Sequence, residues 1–328
     1  MGRKDLPGTQ DLSVGRRGRG KDFVPAEKLR GWFVAGIPIN ILMLQIFTGL
    51  VLGMIFIILA IGLSLIFGLL TVVNFAHGAF YMWGAYAALL CMGYLGNFWL
   101  SLIVVPLAIG GIGILVEYFM VRRLYGLNPD YPLLLTFGLS LIMIEGVRIF
   151  FGTSDYPFSA PAFLQDSVNI LNLFVFPLYR IFVILITSFV ILLLWLFLEK
   201  TDVGLIIRAG TRDSEMVRLL GIDISKIWLL VFGMGTGLAG LAGILAAPMR
   251  GVYPEMGIAM LVECFVVIVV GGMGSLKGAV LSGLILGQVV SLTSLFIPEM
   301  SNIVIFIVMA IVLLIRPSGL FGRAGLME

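Results

Sequence analysis

Asn74 and His77 are the polar residues best placed to do chemistry, because both lie in a long stretch without charge. Residues 31–116 contain no Asp, Glu, Lys or Arg. Polar groups at membrane depth are costly and usually face a bundle interior or a wet cavity. Asn74 and Gly78 also suit a break between two half-helices, whose free N–H and C=O groups can meet a bound molecule. The alternative is that His77 only hydrogen-bonds to a neighbouring helix.

Glu263 is the second candidate, because it is a carboxylate inside an apolar run with no basic residue close to it in sequence. Intramembrane carboxylates commonly line a pathway or carry protons. Glu263 is therefore predicted to face a pore, with Asn74, His77 and Gly78 along the same pathway. The alternative is that Glu263 forms an ion pair with a residue of another helix.

The reactive residues of the sequence do not indicate an enzyme. His77 is the only histidine, so a histidine metal cluster is impossible. We find no paired carboxylates and no nucleophile with a base, so no catalytic residue or metal site is expected. Cys91 and Cys264 lie in apolar runs and are interpreted as buried thiols. The net charge of +3 does not suggest nucleic acid as a partner.

The elements that must position these residues are membrane helices. Of the 328 residues, 60% are hydrophobic and 12% charged, against about 25% charged residues in soluble domains. Long runs without dyad alternation indicate helices rather than barrel strands. The fold class is therefore all-α, a polytopic bundle of about eight to ten helices with broken helices near the membrane midplane. The runs that we assign to helices are 37–57, 58–73, 77–95, 98–121, 133–151, 179–199, 227–248, 257–273, 279–297 and 301–316.

Charge placement predicts the orientation, because Lys and Arg accumulate on cytoplasmic loops. Residues 1–31 are basic and are expected to be a disordered cytoplasmic tail, followed by a membrane domain over 32–328. Residues 200–226, called the basic loop below, contain five Lys and Arg, whereas residues 151–179 contain two Asp and no basic residue. We therefore expect both termini in the cytoplasm and an even number of crossings.

The basic loop carries a candidate docking helix over 211–220. Met216, Leu219 and Leu220 share one face by their spacing. Thr211 is predicted to cap this helix and Gly221 to end it. The apolar face can dock in the groove of a cytoplasmic partner, or it can lie on lipid as an interfacial helix. Its polar neighbours include Arg208, Arg212 and Glu215.

Residues 271–278, called the glycine-rich turn below, have the sequence GGMGSLKG. The segment fails as a phosphate-binding loop, because no Ser or Thr follows the lysine and no soluble strand precedes it. Gly271, Gly272, Gly274 and Gly278 are therefore interpreted as a flexible interruption and packing point between two membrane helices.

These segments together resemble the permease family of branched-chain amino acid ABC importers. The resemblance rests on GLSLIFG at 62–68, NFAHGAFYM at 74–82, residues 204–208 and 219–222, the glycine-rich turn, and RPSGLFG at 316–322. The matches run in family order through most of the chain. The resemblance identifies 32–328 as a permease domain and 200–226 as its coupling loop.

The resemblance implies a transport subunit of the bacterial inner membrane that is not an enzyme. It implies that this chain binds no cofactor and that two cytoplasmic ATPase subunits use the ATP. The other expected partners are a second permease subunit, a periplasmic solute-binding protein and membrane lipid. A branched-chain or hydrophobic amino acid is the first choice of solute, with an amide, urea or an aromatic acid as alternatives. The competing hypothesis is a secondary transporter or channel that needs no ATPase.

Overall fold

The computed structural model describes residues 33–34, 37–128, 130–170 and 174–322. The predicted basic tail over 1–31 lies outside these residues. A short antiparallel pair, β1 (Phe33–Val34) and β2 (Ile37–Pro38), precedes the helices. A second hairpin pairs β3 (Ser167–Ile170) with β4 (Phe174–Pro177). The remaining regular structure is helical, which confirms the predicted fold class.

Eleven α-helices follow one another through the described chain. They are α1 (Ile39–Leu70), α2 (His77–Leu95), α3 (Phe98–Phe119), α4 (Asp130–Phe151), α5 (Leu178–Lys200), α6 (Asp202–Gly210), α7 (Ser214–Leu219), α8 (Ile224–Arg250), α9 (Met256–Gly271), α10 (Leu276–Phe296) and α11 (Val304–Ile315). Single 3₁₀ turns occur at Val121–Leu124, Ala162–Leu164 and Pro298–Met300.

Nine of these helices are apolar enough to lie in a membrane. Seven are also long enough to cross it, namely α1, α2, α3, α4, α5, α8 and α10, while α9 and α11 are shorter apolar helices. The count agrees with the predicted eight to ten. The sequence predicts separate helices over 37–57 and 58–73, and this prediction is wrong. Helix α1 is continuous over 32 residues, about 48 Å at 1.5 Å per residue.

The two ends of the bundle are distinguished by the contacts of α1. Near its beginning, Phe47 lies 5.3 Å from Phe174 of the β3–β4 hairpin, ring to ring, and Thr48 accepts a hydrogen bond from Arg180. Near its end, Gly68 lies against Gly274 of the glycine-rich turn and beside Thr211 of the basic loop. We call these the hairpin end and the basic-loop end.

Helix α1 runs from one end of this bundle, and the last described residues lie at the other end. Helix α1 begins at the hairpin end, whereas the backbone N–H groups of Leu320 and Phe321 donate to Val270 and Gly271 at the basic-loop end. The expected even number of crossings with both termini in the cytoplasm stays a prediction, because the N-terminal residues on which it depends lie outside the described chain. The expectation depended on the basic tail, which lies before the described residues, and on counting α1 as two helices.

A buried ion pair fixes the end of α3 to the start of α8. The Glu117 side chain is fully buried and accepts a hydrogen bond from Arg122 at 3.1 Å. The same Arg122 nitrogen donates to the backbone oxygen of Ser225 at 3.0 Å. The pair thus holds the basic-loop ends of two long helices together.

Replacing Arg122 with alanine should destabilise the protein strongly, because it leaves the Glu117 carboxylate buried without its partner. Breaking a buried pair costs roughly 3–5 kcal/mol, and we expect the lower part of this range because Arg122 is partly exposed. Denaturant unfolding in detergent measures the change. Arg123→Ala is the matched control, since Arg123 is exposed and should shift stability by less than about 0.5 kcal/mol. Equal stability of the two variants would contradict this role of the ion pair.

Candidate functional site

Residues 71–76, called the helix break below, separate α1 from α2. Thr71 adopts a φ of 51°, a left-handed conformation that side chains other than glycine rarely adopt. The chain then returns alongside α1, because the Nε2 atom of His77 lies 3.0 Å from the backbone oxygen of Leu59, well inside that helix. Helix α2 therefore begins beside the middle of α1, as predicted for a broken helix.

The backbone of the helix break finds its partners within the protein. Phe75 N–H donates to Thr136 of α4 at 3.1 Å, and Ala76 N–H donates to the Asn74 side-chain oxygen at 3.1 Å. The backbone oxygen of Asn74 accepts from His77 N–H at 3.2 Å. Irregular backbone at membrane depth persists only where such partners exist. Asn74 therefore shapes the break, through both its side chain and its backbone.

His77 bonds to a neighbouring helix, which was the alternative to solute contact. A carbonyl oxygen only accepts, so Nε2 carries the proton in the bond to Leu59. Asn74 and His77 are both fully buried. Among the described residues, the Nδ1 atom of His77 and the side-chain nitrogen of Asn74 have no partner. The geometry gives both residues a positioning role, and contact with solute stays a prediction.

Gly78 is a close-packing position inside α2, so its predicted place in the break itself is wrong. A Cβ atom on Gly78 would overlap the backbone oxygen of Gly257 near the start of α9, and a Cβ on Gly257 would lie 2.5 Å from the backbone oxygen of Gly78. Close backbone approach in membranes requires such small residues. The beginnings of α2 and α9 therefore meet at this pair, which spacing along the sequence did not reveal.

Glu263 pairs with Arg250, as the alternative interpretation allowed. The Arg250 guanidinium at the end of α8 lies 3.5 Å from the Glu263 carboxylate and 3.0 Å from the sulfur of Met260. The two side chains are 28% and 22% exposed. Because α9 starts beside Gly78, this partly open ion pair lies at membrane depth. Sequence reasoning missed Arg250 as the partner, because 13 residues and a turn separate the two.

The basic loop folds into two short helices instead of the single helix predicted over 211–220. Thr201 caps α6 by accepting from Gly204 N–H at 3.0 Å. Asp213, and not Thr211, caps α7 by accepting from Met216 N–H at 2.8 Å. Gly221 follows with a φ of 82°, which agrees with its predicted role as the helix end. Asp is favoured at the start of a helix because its side-chain oxygen accepts from an N–H group two or three residues later. The Asp at position 213 is therefore the sequence signal that could have located this cap.

The predicted docking residues divide into an apolar set and a charged set. Met216, Leu219 and Leu220 are 53%, 77% and 73% exposed. The apolar face of α7 therefore points away from the bundle, and we call these three residues the docking face. Arg208 instead forms an ion pair with Glu199 of α5.

Arg212 and Glu215 line a polar cleft of about 580 Å³ at the basic-loop end, together with Thr71 and Lys277. Beside this cleft, the end of α6 packs on α1, since a Cβ on Gly210 would lie 2.7 Å from Leu69. The cleft joins the basic loop to Thr71, the first residue of the helix break. The first residue of the helix break therefore lies beside the basic loop.

The glycine-rich turn joins α9 to α10, as predicted. Gly272 and Gly274 have φ values of 100° and 77°, and Gly271 and Gly278 are in backbone contact. Ser275 caps α10 by accepting from Gly278 N–H at 3.1 Å. The C-terminal segment also hydrogen-bonds to this turn, so it is a bonded junction and not the flexible interruption that was expected.

A bundle of apolar helices, with a break between α1 and α2 and a short exposed helix at one end, is the architecture of a polytopic membrane protein. The family model described as the branched-chain amino acid transport system permease component matches residues 45–313. The chain belongs to this family, as its sequence resemblance predicts.

Curated relatives agree with this assignment. The permease protein BraD of Pseudomonas aeruginosa is 30% identical over 294 residues, covering 85% of this chain and 95% of BraD. LivH of Escherichia coli K12 is 31% identical over 298 residues, with the same shares. LivM of that organism is 28% identical over 294 residues, covering 82% of this chain and 68% of LivM. All three are named high-affinity branched-chain amino acid transport system permease proteins. No solved structure matches the chain with significance.

Proposed function

We propose that this chain is the permease subunit of an ABC-type importer for branched-chain or other hydrophobic amino acids. The family match over most of the chain carries the proposal. The docking face supports it, because an apolar helix surface at the end of a membrane bundle suits a groove on a separate motor. Two ATPase subunits dock on this face and bind and hydrolyse the ATP, and this chain itself holds no cofactor.

The coupling step follows from the path between α7 and the helix break. When the ATPase pair closes, it displaces α7. The residues that line the polar cleft, and the packing of Gly210 on α1, then shift the end of α1. Thr71 and the helix break then shift the beginning of α2 against α9. Because closely packed elements switch between discrete arrangements, a small movement can change which side of the bundle is open.

The orientation follows from charge. The basic-loop end carries Arg122, Arg123 and most basic residues of the basic loop, so it faces the cytoplasm. The hairpin end then faces the periplasm, where a solute-binding protein docks. Helix α1 then begins on the periplasmic side, and the described chain finishes at residue 322 on the cytoplasmic side of the bacterial inner membrane.

The Arg250–Glu263 pair marks the solute pathway. Exposed Ile258 and Val262 lie on the same helix as Glu263. A charged pair at membrane depth is expensive against lipid but tolerable beside a wet cavity. We therefore place the pathway on this face, between this subunit and a second permease subunit. The existence of both LivH and LivM among the relatives supports a second, related permease as the partner.

Replacing Glu263 with glutamine should lower solute uptake about tenfold, because it keeps the side-chain shape but leaves Arg250 without its counter-charge; a tenfold change corresponds to about 1.4 kcal/mol. The measurement is the initial uptake rate in proteoliposomes that contain the full transporter. Glu145→Gln is the matched control, since Glu145 is exposed and Arg148 keeps its second partner, Glu255. If Glu263→Gln and the control take up solute at equal rates, the Arg250–Glu263 pair does not line the solute pathway.

Competition experiments identify the solute. Radiolabelled leucine uptake by the reconstituted transporter with its binding protein is measured against excess unlabelled isoleucine, valine, an amide, urea or an aromatic acid. The proposal predicts that isoleucine and valine compete strongly. Competition by urea or the amide alone would assign the transporter to another solute while leaving its class unchanged.

A further inference from the structure

A narrow cleft separates α5 from α1 and α10 in the half of the bundle next to the basic loop. It encloses about 280 Å³. Its depth is bounded by Ile61 of α1, Ile191 of α5 and Val280 of α10. Ile191 is eight residues before Glu199, the last residue of α5 that lines the cleft, so the cleft reaches about 12 Å along the helix at 1.5 Å per residue.

The walls of the cleft are apolar, and its mouth is charged. Leu65, Leu194 and Leu198 line the interior, whereas Glu199, Arg208 and Lys277 lie at the mouth. Arg208 and Glu199 pair with each other. Lys277 is exposed, and within the part of the chain that the structure describes no carboxylate pairs with it. The three charged residues of the mouth therefore sum to one positive charge, and Lys277 is the basic residue among them that is outside an ion pair.

The side of the cleft formed by α5 faces the membrane. Helix α5 is the least buried of the long apolar helices, with 17% of its apolar window inside the protein. Leu192, Leu193 and Trp195 are about half exposed on its surface. An apolar slot that opens among such residues contacts acyl chains rather than water.

We propose that this cleft binds an anionic phospholipid, with one acyl chain between α5 and α1 and the headgroup phosphate held by Lys277. The shape and the charge both select this occupant. A chain fills an apolar slot of this length, and a basic residue at the cytoplasmic mouth of a pocket between helices recognises an anionic headgroup. The bound lipid fills the gap beside the basic loop, next to Arg208 and Thr211.

Native mass spectrometry of the purified full chain tests the proposal. The protein is titrated with phosphatidylglycerol and with phosphatidylcholine in mixed micelles, and the bound lipid is counted. Lys277→Gln should weaken phosphatidylglycerol binding about fivefold, the effect of one basic residue near an anionic headgroup, and should leave phosphatidylcholine unchanged. Lys226→Gln, which removes an exposed lysine outside the cleft, should change neither.

A second variant tests the apolar slot. Val280→Phe should reduce binding of both lipids by filling the slot, whereas Ile285→Phe on the outside of the same helix should not. Glycerol phosphate, which has a headgroup but no chain, should fail to displace the lipid; displacement would assign the site to a free phosphate. Gel filtration confirms that each variant is folded, and Val280→Leu replaces Val280→Phe if it is not.

Three further results would overturn the proposal. The first is equal phosphatidylglycerol binding by Lys277→Gln and Lys226→Gln. The second is equal lipid binding by the two phenylalanine variants. The third is loss of the lipid when the permease is purified with its partner subunits, which would show that a protein and not a lipid covers the cleft.

Discussion

Replacing Gly78 with alanine is expected to destabilise the protein and abolish uptake. The added Cβ would overlap the backbone oxygen of Gly257, and neither backbone can move without disturbing the start of a helix. Overpacking of this kind costs roughly 1–3 kcal/mol, and we expect the upper end because the obstacle is backbone and not a flexible side chain. Thermal unfolding in detergent and uptake in proteoliposomes measure the two effects.

Gly93→Ala is the matched control for this prediction. Gly93 lies on the same helix, and a Cβ there meets no atom within 4 Å. Alanine is a better helix former than glycine by roughly 0.5–1 kcal/mol, so this variant should be as stable as the natural protein or slightly more stable. If Gly78→Ala behaves like Gly93→Ala, the meeting of α2 and α9 is not the tight junction described here.

Replacing Leu219 with aspartate is expected to release the ATPase subunits and reduce uptake at least tenfold, with normal membrane insertion. Leu219 is 77% exposed, so the change should cost the isolated permease less than about 0.5 kcal/mol. A carboxylate pressed into an apolar groove loses its hydration without a partner, which makes docking unfavourable by about 2–5 kcal/mol. Co-purification of the ATPase and uptake in the same preparation measure the loss.

Phe163→Asp is the comparison for Leu219→Asp, because Phe163 is 76% exposed at the hairpin side of the chain. It should leave ATPase binding intact. The experiment in detergent also separates docking from the alternative that α7 merely lies on lipid. If Leu219→Asp retains the ATPase and full uptake, the docking face has been assigned to the wrong surface.

The helices could be predicted because hydropathy runs are a local property of the sequence. The glycine-rich turn and the helix break were found for the same reason, since Gly271, Gly272 and Asn74 interrupt apolar runs. The predicted division of α1 near residue 57 is wrong, because nothing in the sequence there stops a helix. The docking helix is predicted, but its predicted start at Thr211 is wrong, because both Thr and Asp can cap and Asp213 is the residue that caps α7.

The contacts that build the candidate site could not be predicted, because they join residues far apart in sequence. Gly78 meets Gly257, and Thr136 holds the helix break. Arg250 reaches Glu263 from another helix. Each partner is unremarkable in its own segment. Charge counting predicts the side of a loop, but it cannot show that α1 runs through without a break.

The dependence of uptake on a separate ATPase tests the central claim most directly. The purified permease, its permease partner and the solute-binding protein are reconstituted in liposomes with labelled leucine, with or without the ATPase subunits, in the absence of an ion gradient. The account predicts accumulation only when the ATPase subunits and ATP are both present, and its loss when the nucleotide cannot be hydrolysed. In a parallel sample with an imposed proton gradient and without the ATPase subunits, accumulation would contradict it and identify a secondary transporter.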